Sequence, residues 1–286
     1  MNQDIINLFD EYTHKPLKRE VFISKLVKLA GGTAAAMAIL PVLEGNYSAA
    51  AQTTEEDEDL KIEEVSFPSK NCKMKGYLVI PAKSKGKLGA VLVIHENRGL
   101  TPHIKDVTRR IAKAGFIALG IDALSPYGGT PANEDEARAF FPKLDAKQNL
   151  ENLQSGLEYL RGLKKSNGKT GTVGFCWGGG MVNSLATFDP KINASVAYYG
   201  RQVEAADVPK IKSKLMLHYA GLDERINAGI PAYEEALKAK KVDYQVFVYE
   251  GAQHAFNNDS SPARYNPEVA KLAWGRTMKF FQKELS

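Results

Sequence analysis

From residue 60 onward, apolar and polar positions switch repeatedly between a strand-like and a helix-like period. Two segments, Lys61 to Phe67 and Lys73 to Ile80, flank the turn residues PSKN and predict a hairpin. The run AVLVIHE has no polar alternation, which predicts a central parallel strand buried on both faces. A helix is expected from Thr101-Pro102, with Thr as N-cap and Pro in the first turn, to the stop at Ala114-Gly115. FIALGID is the next strand, followed by the Pro/Gly-rich loop from Leu124 to Pro131. Helical segments run from about Glu134 to Gly162 with a break near Pro142, and TGTVGFC is a short strand before a helix from Trp177. Strands at Ala194 to Tyr199, Lys214 to Tyr219 and Tyr244 to Tyr249, with helices near Ala228 to Lys240 and Pro267 to Lys283, complete the series. Strand-helix alternation of this kind predicts an α/β fold, a mostly parallel sheet with helices on both faces, in one domain. Ligands in such sheets bind at the carboxyl ends of the strands.

The first 59 residues follow another pattern. LAGGTAAAMAILPVL, Leu29 to Leu43, is uncharged and preceded by the basic stretch KPLKREVFISKLVK. Its length of about 15 residues suits the apolar core of an export signal and falls short of the roughly 20 that span a bilayer. Ala49-Ala50-Ala51 offers small residues for cleavage, with Gln52 as the new N-terminus. Residues 1–51 are therefore expected to be a cleaved, twin-arginine-like leader directing the protein to the periplasm. Lys18-Arg19 stands where that pattern has two arginines. The alternative is an uncleaved amphipathic segment that packs on the domain or a partner, leaving the protein cytoplasmic or membrane-anchored. Residues 52–59, with five consecutive acids from Glu55 to Asp59, are expected to be a solvated linker. The domain proper is 60–286.

Composition narrows the function classes. The 286 residues are 44% hydrophobic and 25% charged, as in a globular protein. The net charge of +5 splits into zero over residues 1–51, −5 in the acidic run and +10 spread thinly over the domain. Without a basic stripe interleaved with aromatics, no nucleic-acid partner is expected. Two cysteines, Cys72 and Cys176, exclude a disulfide scaffold. The expected form is a monomer or small homo-oligomer with no stable membrane span after leader cleavage.

Chemistry concentrates at three strand ends. Gly174-Phe175-Cys176-Trp177-Gly178 joins a strand to a helix in the pattern of a nucleophile elbow, with Cys in the nucleophile's place. Glycines allow the tight turn, and the helix N-terminus favours thiolate over thiol. Asp223 follows the strand KLMLHYA and His254 follows YQVFVYE, giving the order nucleophile, acid, histidine. His254 would exchange protons with the thiol and a leaving group, and Asp223 would orient the imidazole. Glu96 ends the strand VLVIH, close to where the elbow sulfur should lie. Backbone amides of Trp177 and Asn97 are the candidate oxyanion donors. His14 falls in the leader, His95 and His218 are expected to pack, and His103 opens a helix. None shows metal-ligand spacing, so no metal is expected.

The combination GFCWGG, VIHE, GLDE and GAQHAF, in this order, resembles the dienelactone hydrolase family over residue 60 to the C-terminus. The resemblance implies a cofactor-free α/β-hydrolase fold that opens lactones or cleaves esters through an acyl-cysteine. It also implies that Glu96 assists deprotonation of Cys176 when substrate enters. The family's founding enzymes hold a substrate carboxylate with two arginines, and here the pattern departs. The loop ALSPYGGTPANED has no basic residue before Arg138, and Asn257 and Asn258 follow His254, with Arg264 further on. Amides imitate a bidentate arginine poorly, so a substrate other than dienelactone is expected, with Arg98, Tyr127 and Trp177 as candidate pocket residues. The expected activity is hydrolysis of a small-molecule ester or lactone. The competing expectations are a non-catalytic ligand-binding or chaperone-like protein on the same fold, and a redox thiol with Cys72 as resolving partner.

Overall fold

The structure is a computed structural model that describes residues 1–15, 17–45 and 51–286. Helices α1 (Gln3–His14), α2 (Arg19–Ala30) and α3 (Thr33–Glu44) precede the domain. The hairpin β1 (Leu60–Pro68) and β2 (Lys73–Pro81) leads into β3 (Leu88–Ile94), α4 (Pro102–Lys113) and β4 (Ile117–Asp122). After α5 (Glu134–Phe140) and α6 (Ala146–Gly162) come β5 (Ser166–Phe175), α7 (Trp177–Phe188) and β6 (Ala194–Tyr198). The chain ends with β7 (Lys214–Ala220), α8 (Glu224–Asn227), α9 (Ile230–Ala239), β8 (Tyr244–Tyr249) and α10 (Pro267–Leu285). One eight-stranded sheet has the order β1-β2-β4-β3-β5-β6-β7-β8. The β1-β2 and β2-β4 pairings are antiparallel and the rest parallel.

The unalternating apolar run of β3 is explained by its two covered faces. Val91 and Val93 pack with Ile104, Val107, Ile111 and Phe281 of α4 and α10. Ala90, Leu92 and Ile94 pack with Leu153, Leu157 and Val182 of α6 and α7 on the other face. Each large aliphatic side chain buried this way contributes about 1.5–3 kcal/mol of hydrophobic stabilisation. Pro142 breaks the helical stretch as its sequence predicts, through a single 3₁₀ turn at Phe141–Lys143.

Residues 52–59 are less free than a linker of like charges suggests. Asp106 Oδ1 accepts from the Thr53 amide and hydroxyl at 2.8 and 2.5 Å. Asp57 pairs with Lys113 at 2.5 Å. The cations of α4, Arg109 and Lys113, supply the counter-charges that composition alone does not locate.

The N-terminal residues form a helical cap on the domain. Ile5, Leu8, Phe9 and Tyr12 make one apolar stripe of α1, which meets Phe22 and Leu26 of α2 and Ala36 and Leu43 of α3. Asn2 caps α1, and Gly31, at φ 79°, ends α2 in the left-handed conformation that favours glycine. Ala49 and Ala50 of the expected cleavage site lie outside the described residues. Among the described residues no single helix is long and apolar enough to cross a membrane; α2 and α3 together meet that test by composition but are bent by 115°.

Candidate active site

Cys176 is the turn between β5 and α7. Its backbone sits at φ 55°, ψ −114°, a strained conformation for a residue with a Cβ. The flanking glycines make this turn possible. A Cβ on Gly178 would stand 2.3 Å from the Ile94 carbonyl oxygen, and one on Gly174 would stand 2.2 Å from that of Gly178. Backbone cannot yield at such distances, so side chains here would push α7 off the sheet. Trp177 is the first residue of α7, and its amide has no acceptor within the helix.

Asp223 and His254 meet as their sequence positions predict. Asp223 caps α8, accepting from the Ile226 amide at 3.3 Å, and its other oxygen accepts from His254 Nδ1 at 2.5 Å. Burial works to raise the Asp223 carboxyl, but the imidazole beside it holds it below the usual range. The bond fixes the tautomer of His254, whose Nε2 is buried without a hydrogen-bond partner.

The imidazole aligned for a hydrogen bond to the sulfur is a different one. His14 Nε2 lies 3.1 Å from Cys176 Sγ, and its ring stands edge-on to His254 with centroids 4.6 Å apart. His14 Nδ1 faces the Asp10 carbonyl oxygen at 2.8 Å. Burial would raise the Cys176 thiol, yet the charges of His14 and His254 outweigh it and bring the thiol down to about 6. For His254, burial disfavours the charged ring, while Asp10, the thiolate and Asp223 push it up to about 10. The physical result is a thiolate–imidazolium pair. Donor atoms of His14, Cys176 and His254 lie within 4.8 Å of one another, a set that could also hold a soft divalent cation.

Glu96 and Arg98 line the cavity that contains the sulfur. Glu96 Oε2 accepts from Asn258 Nδ2 at 2.8 Å, so the asparagine standing where a basic residue was expected holds the acid in place. Arg98 pairs with Glu134 at 2.9 Å. Asn97 also lines the cavity, and its side chain donates to the Thr13 carbonyl oxygen at 2.6 Å. Two candidate pocket residues are placed elsewhere. Tyr127 stacks on Phe140 and donates to the Lys143 carbonyl oxygen, apart from the residues around the sulfur. The Trp177 ring stacks on His95 and meets Phe141 edge-on, filling space between elements.

His95 and His218 pack, as expected. His95 Nδ1 faces the Glu96 carbonyl oxygen at 2.6 Å, and His218 is enclosed by Tyr249 and Thr277. Burial lowers both imidazoles, His218 to about 3. The Cys72 sulfur contacts Met74 and Asn152, and both cysteines are free thiols.

Sequence reasoning missed His14, Arg264 and Asn258. Arg264 lines the cavity, pairs with Asp10 at 3.3 Å and lies over the Phe9 ring. The available signal for His14 was the helical spacing of Ile5, Leu8, Phe9 and Tyr12, with Asp10 and His14 four residues apart. The space beside the sulfur measures about 40 Å³, enough for water and far below the several hundred Å³ of a typical ligand pocket. A second cleft of about 550 Å³ runs between α1 and the loops after β7 and β8, bordered by His14, Asp223 and His254.

Known proteins share this arrangement of elements. A crystal structure from Klebsiella pneumoniae, described as a "Putative Dienelactone Hydrolase", superposes with a TM-score of 0.71 at 26% identity, covering 78% of this chain and 98% of that one. A Methylorubrum extorquens protein named "Putative carboxymethylenebutenolidase" is 32% identical over 88% of this chain and 89% of its own length. The "Putative hydrolase fragment YghX" of Escherichia coli is 47% identical over 38% of this chain and 96% of its own. The dienelactone hydrolase family model matches residues 74–285, from β2 through the last helix. With that match over β2 to β8 and every strand end that carries the elbow, the acid and the histidine, the chain belongs to the dienelactone hydrolase family.

Proposed function

We propose that the protein hydrolyses a small carboxylic ester or lactone with Cys176 as nucleophile. The observation that carries this reading is the lowered thiol on a strained strand-to-helix turn, beside an imidazole held by Asp223. Cys176 Sγ attacks the carbonyl carbon, and the amides of Trp177 and Asn97 receive the oxyanion. Collapse of this intermediate breaks the carbon–oxygen bond, and the His254 imidazolium protonates the departing alkoxide. The thioester carries no negative charge, so one of the charges that favoured a protonated His254 is removed once the ring has given its proton to the alkoxide. Neutral His254 can then take a proton from water, whose oxygen adds to the thioester carbon. Breaking the carbon–sulfur bond releases the acid and restores the thiolate. Glu96, lining the same cavity, would meet the substrate as it enters.

The 40 Å³ space constrains the substrate. Either the acyl group is very small or α1 shifts to admit it, and the 550 Å³ cleft offers the alcohol portion a path toward His254.

The pH dependence of Cys176 alkylation tests the premise. Iodoacetamide reacts with thiolate, so the rate should rise through about pH 6 and stay level until His254 deprotonates near pH 10. An ordinary thiol would rise through about 8.5 instead. Peptide mass spectrometry separates Cys176 from Cys72, and a Cys176 midpoint at the ordinary value would remove the ion pair from the mechanism.

A further inference from the structure

We infer that His14, carried on α1, is a further catalytic residue: it is the immediate proton partner of Cys176, leaving His254 to serve the leaving group and the hydrolytic water. This rests on the proposed cysteine mechanism. The geometry comes from both sides of the sulfur. His14 Nε2 makes the hydrogen bond to Sγ at 3.1 Å, whereas His254 Nε2 is close enough to share charge with the sulfur but lacks a partner in good hydrogen-bond geometry. His14 repeats the construction of His254, with Nδ1 fixed by an acceptor and Nε2 turned to the thiol. Its acceptor is the Asp10 carbonyl oxygen, and the Asp10 carboxylate lies 3.6 Å from the same nitrogen. With Nδ1–H given to a carbonyl, Nε2 and Sγ share a single proton, as S–H···N or as S⁻···H–N⁺. Attack on a substrate carbonyl then leaves that proton on His14, and the thiolate released by deacylation can take it back.

The helix is docked at several points around the site. Asn97 donates to the Thr13 carbonyl oxygen, Arg138 donates to that of Tyr12, and Arg264 pairs with Asp10. Gln3 and Gln253 join side chains in the loop that carries His254. Asn97, Arg138 and the pair Gln253 and Arg264 come from three separate segments of the domain, so His14 is held by the site's own walls. On this inference the working enzyme keeps its N-terminal segment.

The test uses the full-length chain with His14→Gln and His14→Ala, reading both Cys176 alkylation against pH and the acylation rate with p-nitrophenyl acetate. Loss of the partner should move the alkylation midpoint upward by about one pH unit and slow acylation at pH 6–7 by about tenfold or more. An unchanged midpoint, or faster acylation because α1 merely obstructs the cavity, would overturn the inference. A His14→Cys variant gives a readout independent of activity. Mild oxidation should join the introduced thiol to Cys176, seen as a cross-linked peptide, and absence of that peptide in folded protein would also overturn it. So would a fully active protein isolated with its N-terminus near Gln52. Failure of the cysteine mechanism itself is distinguishable, since a Cys176→Ala variant would then remain active whatever the His14 variants do.

Discussion

Replacing Cys176 by alanine is expected to lower ester hydrolysis by at least about a thousandfold while leaving the fold in place. The substitution keeps the Cβ already accommodated at φ 55°, so it adds no backbone strain. It removes one sulfur from a buried site and opens no large cavity, and the melting temperature should stay within about 3 °C of the parent. Initial rates on p-nitrophenyl acetate and a circular-dichroism melt check both parts. Cys176→Ser sharpens the comparison. A serine hydroxyl does not ionise where the charges of His14 and His254 bring a thiol to about 6, so serine should recover little activity. Wild-type rates in the alanine variant would end the assignment of Cys176.

Substituting Asp223 by asparagine should cost on the order of 10³- to 10⁴-fold in kcat, with a much smaller change in KM. The carboxylate accepts the Nδ1 proton of His254 across a 2.5 Å Nδ1–Oδ2 separation and balances the charge that the ring carries. An amide can turn its NH₂ toward the ring and select the opposite tautomer, placing a proton on the nitrogen that must accept one from water. Deacylation should suffer most, so a burst of p-nitrophenol followed by a slow steady state is the expected trace. A change confined to KM would instead make Asp223 a residue of substrate binding. Asp223 also caps α8, and a melting curve separates that structural contribution from the catalytic one.

The domain was legible because its physics is local. A strand covered on both faces must be apolar throughout, and β3 is; a nucleophile on a tight turn needs small neighbours, and Gly174 and Gly178 meet backbone where any Cβ would stand. The order of Cys176, Asp223 and His254 follows from each lying just past its own strand. What sequence could not supply was long-range geometry. His14 reaches Cys176 across 162 positions, and Arg264 reaches Asp10 across 254. The uncharged stretch from Leu29 to Leu43 satisfies the composition of an export signal and that of a packed helical cap alike, because both require apolar residues in about three turns. Glycine and alanine at Gly31 to Ala36 fit either role. Tyr127 was singled out from the loop it occupies, but its direction depends on Phe140, which gives it a stacking partner away from the sulfur.

The acyl-enzyme is the central claim, and it can be caught. Full-length protein mixed with p-nitrophenyl acetate, quenched in acid within the burst and digested, should yield the peptide containing Cys176 with one added acetyl group. The adduct should disappear with hydroxylamine, as a thioester does, and be absent from Cys176→Ala. An acetyl group found on another residue of a catalytically competent chain, with Cys176 unmodified throughout turnover, would contradict the account.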